Sequence, residues 1–419
     1  MEDITRRALD DELAAWLAGP DPERFPYDAV IAEFHRVGKH FVCAELLAAL
    51  DRIRSMPTAQ ADRVLAGFLD TALDKHDGRY DNPSYLALSQ LPLPGTGDCG
   101  LDLARAARQR DRLLAALVAD TLDFVLAAAD GHTGILPEQR PGARITAKRC
   151  ILGVRALRPA LERMGLAGTV TSEDPLTAAR QACRAVLGAL TPAERRLLKV
   201  TALPVYVVHD EYMFIRMLQA YETTFALLGV QIRAAVVALA EGRPAVAVEA
   251  MDGAERAMRE VAALWSLVAT MQGQSFLAFR EFTDGASAIQ SRGYKTVEGL
   301  CSTPDRERLD SPAYTSVPDV RARVLAGLPN LDEALSDARA AGRITAAAHD
   351  DVRAAMQRFE ASLLGWRKTH FRLAVRMLGR RRGTGYTEGV PYLEKVHGIP
   401  LFRLRCPFAS HRRPAVAAA

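Results

Sequence analysis

The chain has 419 residues, with 54 Lys and Arg against 50 Asp and Glu and a formal net charge of +4. That imbalance is too small to argue for a nucleic-acid partner. Hydrophobic residues at 49 %, with Gly 29 and Pro 22, describe a globular chain with material for a sizeable core, not a disordered one.

Residues 1–20 open on Met-Glu-Asp and carry acids throughout, so no signal peptide is expected. No uninterrupted apolar run reaches the ~18 residues of a membrane span, so no membrane partner is expected. The six cysteines form no C-x-x-C pair and no haem-attachment motif, which predicts free thiols in a reducing, cytoplasmic setting.

Leu and Ala dominate, β-branched alternation is rare, and apolar residues recur at i, i+3, i+4 and i+7. This period predicts helices over roughly 5–18, 26–54, 58–76, 102–129, 144–164, 174–189, 192–200, 208–241, 246–272, 289–300, 318–327, 330–341, 345–380 and 391–397. Prolines and glycines punctuate them. The one strand-like run is Val205-Tyr-Val-Val208. The fold class is all-α. Residues 1–200 are Arg/Ala/Leu-rich helices without a chemical constellation, an additional N-terminal helical region. Residues 201–419 hold the aromatic, Met and polar clusters and are expected to form the core that carries function.

Three segments in that core could carry chemistry. His209-Asp-Glu-Tyr-Met-Phe-Ile-Arg-Met-Leu-Gln-Ala-Tyr-Glu-Thr-Thr-Phe225 puts Phe214, Met217, Leu218, Tyr221, Phe225 and Leu228 on one face. Its plain reading is a core stripe. Gln272 to Glu298 is polar between apolar helices, and Ser287, Gln290, Ser291 and Lys295 either converge on a polar ligand or form a solvated, capped loop. Leu363, Trp366, His370, Leu373 and Met377 repeat at helical spacing ahead of Arg382-Gly-Thr-Gly385. His370 is then either a core histidine or a metal ligand. Glu394-Lys-Val-His397 is the sole Glu-x-x-His, so a di-iron bundle is excluded. No zinc spacing, P-loop, nucleophile elbow or dinucleotide fingerprint is present.

In this order and over many contiguous positions, the three segments resemble the tryptophan 2,3-dioxygenase family of haem-dependent aromatic oxygenases. The family's HDE-x-x-FI-x-x-HQ-x-YE-x-x-F helix is similar to residues 209–225. Its F-x-x-FR and SGFQS-x-x-(F/Y)R-x-x-E segments are similar to 276–282 and 286–298, and its W-R-x-x-H…GTGGSSG segment to 366–393. The resemblance covers about 204–408. Asn82-Pro-Ser-Tyr-Leu-Ala-Leu88 is similar to the family's N-terminal Y-L-x-L segment, which would make roughly 100–200 an insertion.

The resemblance implies a helical bundle around a haem b pocket, O2 as co-substrate, an aromatic amino acid as substrate, and a homo-oligomer, dimer or tetramer. It implies His370 as the iron ligand, its second ring nitrogen bonded to an acceptor that fixes the tautomer. It further implies Phe214 against the substrate ring, Thr384 at the substrate's amino-acid end, and Tyr386 on the substrate side. Three departures stand out. Leu218 occupies the distal-histidine position, Lys295 the carboxylate-binding arginine's, and Gly385-Tyr-Thr-Glu-Gly389 that of the GGSSG loop. Three functions stay open: a dioxygenase cleaving the indole ring to an N-formylkynurenine-type product, a haem monooxygenase of an aromatic amino acid, and a non-catalytic haem-binding helical protein.

Overall fold

The computed structural model describes residues 2–95, 101–379, 381, 383 and 388–403. Among them every regular element is a helix, and the one β-type pairing is an isolated bridge between Glu138 and Val208. The strand-like run at 205–208 therefore forms no strand. Its backbone is satisfied piecemeal instead. The Pro204 and Val205 carbonyls accept from the Lys39 and His40 amides (2.8 and 3.1 Å), the Val207 carbonyl accepts from Glu138 (3.2 Å), and the Glu211 carboxylate takes the Val205 and Tyr206 N–H groups (2.6 and 3.0 Å).

Long helices form where periodicity and caps agree. Asp102 caps Leu103–Ala129, Thr191 and Glu194 form a reciprocal box at Pro192–Val200, and Thr345 caps Ala346–Leu378. The predicted 26–54 helix is two, Tyr27–Val37 and Ala44–Arg54, because Gly38 sits at φ +81° and turns the chain. The predicted 246–272 helix divides into Pro244–Ala262 and Leu264–Val268.

The His209–Ala240 helix is the axis of the molecule. Pro244–Ala262 packs along it and in turn carries Ala346–Leu378, while Leu103–Ala129 packs on another flank and carries Ala143–Arg163 and Pro175–Gly188. One apolar cluster joins all of these, from Leu91 to Phe402. A second cluster, Leu9 to Leu73 with Val200 and Leu203, lies under the N-terminal helices. By length and composition the His209–Ala240 helix could cross a membrane, but 72 % of its most apolar stretch is buried against the other helices.

The acids opening this helix fasten its neighbours. Asp210 pairs with Arg149 at 2.7 Å, both fully buried, and accepts the Gln272 amide. Glu211 also accepts the Tyr85 hydroxyl at 3.0 Å. These bonds fix the N-terminal end of the helix, and with it the register of the face that follows.

Candidate functional site

From His209 to Phe225 every residue is buried except Phe214 and Leu218. They stand one turn apart on one face, and both line a cavity of about 280 Å³. Four stretches wall it: Asn82 to Leu86, Phe214 to Phe225, Trp265 to Lys295, and Trp366 to His397, with Arg308 added from the Arg306–Leu309 helix. Phe214, Leu218, Lys295 and His370, singled out above, all meet here. Thr384 and Tyr386 lie outside the described residues.

His370 projects from the Ala346–Leu378 helix. Its ring stacks on Trp265 (5.2 Å between centroids, 8° between planes) and leans on Trp366 at 5.8 Å. Burial alone drives its pKa down to about 4, yet the ring keeps some accessible surface. These agree if that surface is cavity wall, and His370 is one of the lining residues. The imidazole is thus neutral at any ordinary pH. Among the described residues no group hydrogen-bonds either ring nitrogen, so the acceptor expected to fix its tautomer is not found there.

Three more polar atoms around it are buried without partners: Trp265 Nε1, Trp366 Nε1 and the Tyr221 hydroxyl. All three residues line the cavity. Orphaned buried donors are rare in proteins, and a cluster of them on residues that line one cavity is consistent with a ligand site there.

Elsewhere in the lining Phe214 packs against Phe276 and Phe279 (5.9 and 5.3 Å). Leu218 adds no titratable group there. Of the polar residues at 287–295, Gln290 Oε1 accepts the Ser287 and Asn82 amides (both 3.0 Å). Ser291 caps the Arg292–Cys301 helix and donates to Glu222. Capping and cavity lining are therefore both true of this segment.

Lys295 faces the cavity within a charged knot. Its Nζ lies 2.9 Å from Glu298 Oε2, and Glu298 also accepts from Arg308 (2.7 and 2.9 Å) and Arg367 (2.7 Å). Burial works against the Glu298 carboxylate, but Lys295, Arg367 and Arg308 hold it down to about 2. Burial pulls Lys295 down to about 8, with Glu298 opposing.

Sequence reasoning did not single out Trp265, Glu222 or Arg308 as site residues. Glu222 and Trp366 sat inside the quoted motifs. Arg308 carried no local signal. No group of three or more His, Cys, Asp or Glu able to hold a bare metal ion occurs among the described residues.

No family model matches the chain. It is 26 % identical over 227 residues to the tryptophan 2,3-dioxygenase of Xanthomonas campestris pv. campestris (strain B100), covering 46 % of this chain and 76 % of that protein. It is 28 % identical over 234 residues to the tryptophan 2,3-dioxygenase of Polaromonas naphthalenivorans (strain CJ2), covering 48 % and 82 %. To the enzyme of the same name from Xanthomonas oryzae pv. oryzae (strain PXO99A) it is 25 % identical over 248 residues, covering 50 % and 84 %.

Proposed function

We propose that this chain, a divergent member of the tryptophan 2,3-dioxygenase family, is a haem-dependent oxygenase that inserts O2 into the indole ring of tryptophan or a tryptophan derivative. The observation that carries the reading is His370: a neutral imidazole with no hydrogen bond among the described residues, opening on an apolar cavity whose lining includes Trp265, Trp366 and Tyr221 with their buried, unpartnered indole and phenol groups. The residues present fit a haem b. His370 would hold its iron through one ring nitrogen, as a single neutral imidazole does in other haem proteins, and Trp265 would fix the ring's plane by stacking. When bound, the haem supplies the redox chemistry with O2 that the cavity's own side chains lack.

The chain's own contribution is placement and exclusion of water. Phe214 would lie against the indole ring, backed by Phe276 and Phe279 so that its position is set by packing. The cationic group around Lys295 would take the substrate's carboxylate, with Thr384 and Tyr386 proposed at its amino-acid end. Leu218 puts a hydrocarbon where the family carries an imidazole, so no side chain at that position takes the indole N–H proton.

A second reading keeps the fold and the His370 ligand but inserts one oxygen atom, a hydroxylation of an aromatic amino acid. The apolar Leu218 and the engagement of Lys295 with Glu298 favour it. Product mass separates the two: ring opening with two added oxygens, or one added oxygen with the ring intact.

The deciding experiment is an absorption spectrum of protein expressed with haem supply, ferric and then dithionite-reduced under carbon monoxide. A Soret band of histidine-ligated haem, lost in His370→Ala, is the expected result. No Soret band at any haem supply would overturn the reading.

A further inference from the structure

We propose that Arg308 is a carboxylate-binding residue of the cavity, supplying guanidinium donors that position 295 lacks by carrying a lysine. The inference rests on the functional reading above and names the group that would set its preference for an acid.

Lys295, Arg308 and Arg367 all line the cavity, and all three converge on the one carboxylate of Glu298. Their side chains are 4, 13 and 6 % exposed, and that of Glu298 is 5 %. Both carboxylate oxygens are already saturated: Oε1 accepts from Arg308 and Arg367, Oε2 from Lys295 and Arg308. Among the described residues this knot holds three cations to one carboxylate in a largely dry wall, a net positive charge that a ligand's anion would offset. The two phenols beside them do not supply that anion. Burial raises the Tyr294 and Tyr392 hydroxyls, so both stay neutral.

The three cations are not equally free to meet a ligand. Arg367 uses every nitrogen: Nε on the Tyr294 hydroxyl, Nη1 on the Ile399 carbonyl at 2.5 Å, Nη2 on Glu298. It is fixed in the frame. Lys295 keeps donors but presents a point charge. Among the described residues Arg308 reaches Glu298 through Nη2 and otherwise meets the Tyr392 hydroxyl. A guanidinium offers five N–H groups in a planar fork, so it retains donors for a second carboxylate. Arg308 also stands on the four-residue Arg306–Leu309 helix, beyond the segments where the family motifs lie.

The carboxylate could be the substrate's or a haem propionate, and the test separates them. Haem-loaded wild type, Arg308→Gln and Arg308→Lys are titrated with L-tryptophan and with tryptamine, which lacks the carboxylate. Binding is read by Soret perturbation and calorimetry, with haem affinity and melting temperature measured alongside. Arg308→Gln is expected to weaken L-tryptophan binding about tenfold or more while tryptamine changes less than about twofold, as the loss of a charge-assisted bond requires. Arg308→Lys should fall between, and decides the matter alone if the glutamine variant does not fold. A drop in haem affinity with tryptophan binding intact assigns the corner to a propionate. Unchanged affinity for both tryptophan and haem in the folded variants overturns the proposal. A wild type that loads haem but binds neither indole sinks the substrate reading, and this inference with it.

Discussion

Glu222 faces the cavity one turn beyond Leu218, and its carboxylate is buried against the Ser291 hydroxyl. Gly293 must lack a side chain for this approach, since a Cβ there would stand 2.7 Å from Glu222 Oε2. Burial pushes the carboxyl up to about 7, offset in part by Ser291 and the Gly293 amide. The sign of its effect on stability follows. Between the unfolded value of 4.5 and about 7 the folded chain holds more protons, so stability falls as pH rises through that window, by about 3 kcal/mol at most. His370 does the reverse. Its pKa drops from 6.5 to about 4, so the folded chain holds fewer protons there and stability rises with pH over that range. The two slopes oppose each other where they overlap. Other buried groups titrate over the same range, Glu211 with its carboxyl pushed up to about 8 among them, so the Glu222 contribution is read as a difference: in urea denaturation of the haem-free proteins, Glu222→Gln should gain stability relative to the wild type as pH rises from about 4.5 to 7. A variant that tracks the wild type at every pH would mean that Glu222 does not titrate in this window.

At the scale of elements, the break at Gly38 shows what a linear reading reaches and what it does not. Periodicity over 26–54 is continuous, yet the chain turns at Gly38 because Lys39 and His40 pair with Pro204 and Val205, far away in sequence. A Cβ at Gly38 would lie 2.7 Å from the Val205 carbonyl oxygen, and its φ of +81° disfavours any side chain. Gly38→Ala should therefore destabilise the protein by about 1–3 kcal/mol. The expected signature is a lower denaturant midpoint with an unchanged slope. An unchanged midpoint would show that the two segments do not press together. Helix ends written locally were legible: the Thr191–Glu194 box before Pro192, the Thr345 cap, the Asp102 cap. The four-residue helices Asn82–Tyr85, Arg306–Leu309 and Pro312–Thr315 were not, since one turn shows no period. Nor did a local signal separate Ala262 from Leu264, where the chain bends within one apolar pattern.

Across the whole molecule, the cavity is a product of chain folding more than of any one motif. His370, Phe214, Leu218 and Lys295 could be found because each belongs to a contiguous pattern, and the fold brings them to one space. Trp265 could not, because its meaning lies in an 8° stack on a ring 105 residues later in the chain (370 − 265). Asn82 and Tyr85 reach the same space from the other half of the sequence, held by Gln290 and Glu211. A ligand in this cavity therefore stabilises distant segments together, since anything that binds only the folded form favours all the structure its site requires. Hydrogen exchange of the haem-free and haem-loaded protein should show slowed amides in Asn82–Tyr85, Gly273–Arg280, Arg292–Cys301 and the second half of Ala346–Leu378. Tyr27–Val37 and Ala44–Arg54, which belong to the second apolar cluster and line no part of the cavity, should change little. Protection confined to the segments after Trp366 would mean that haem sits against His370 alone, without engaging the wall formed by Asn82–Tyr85 and Phe214.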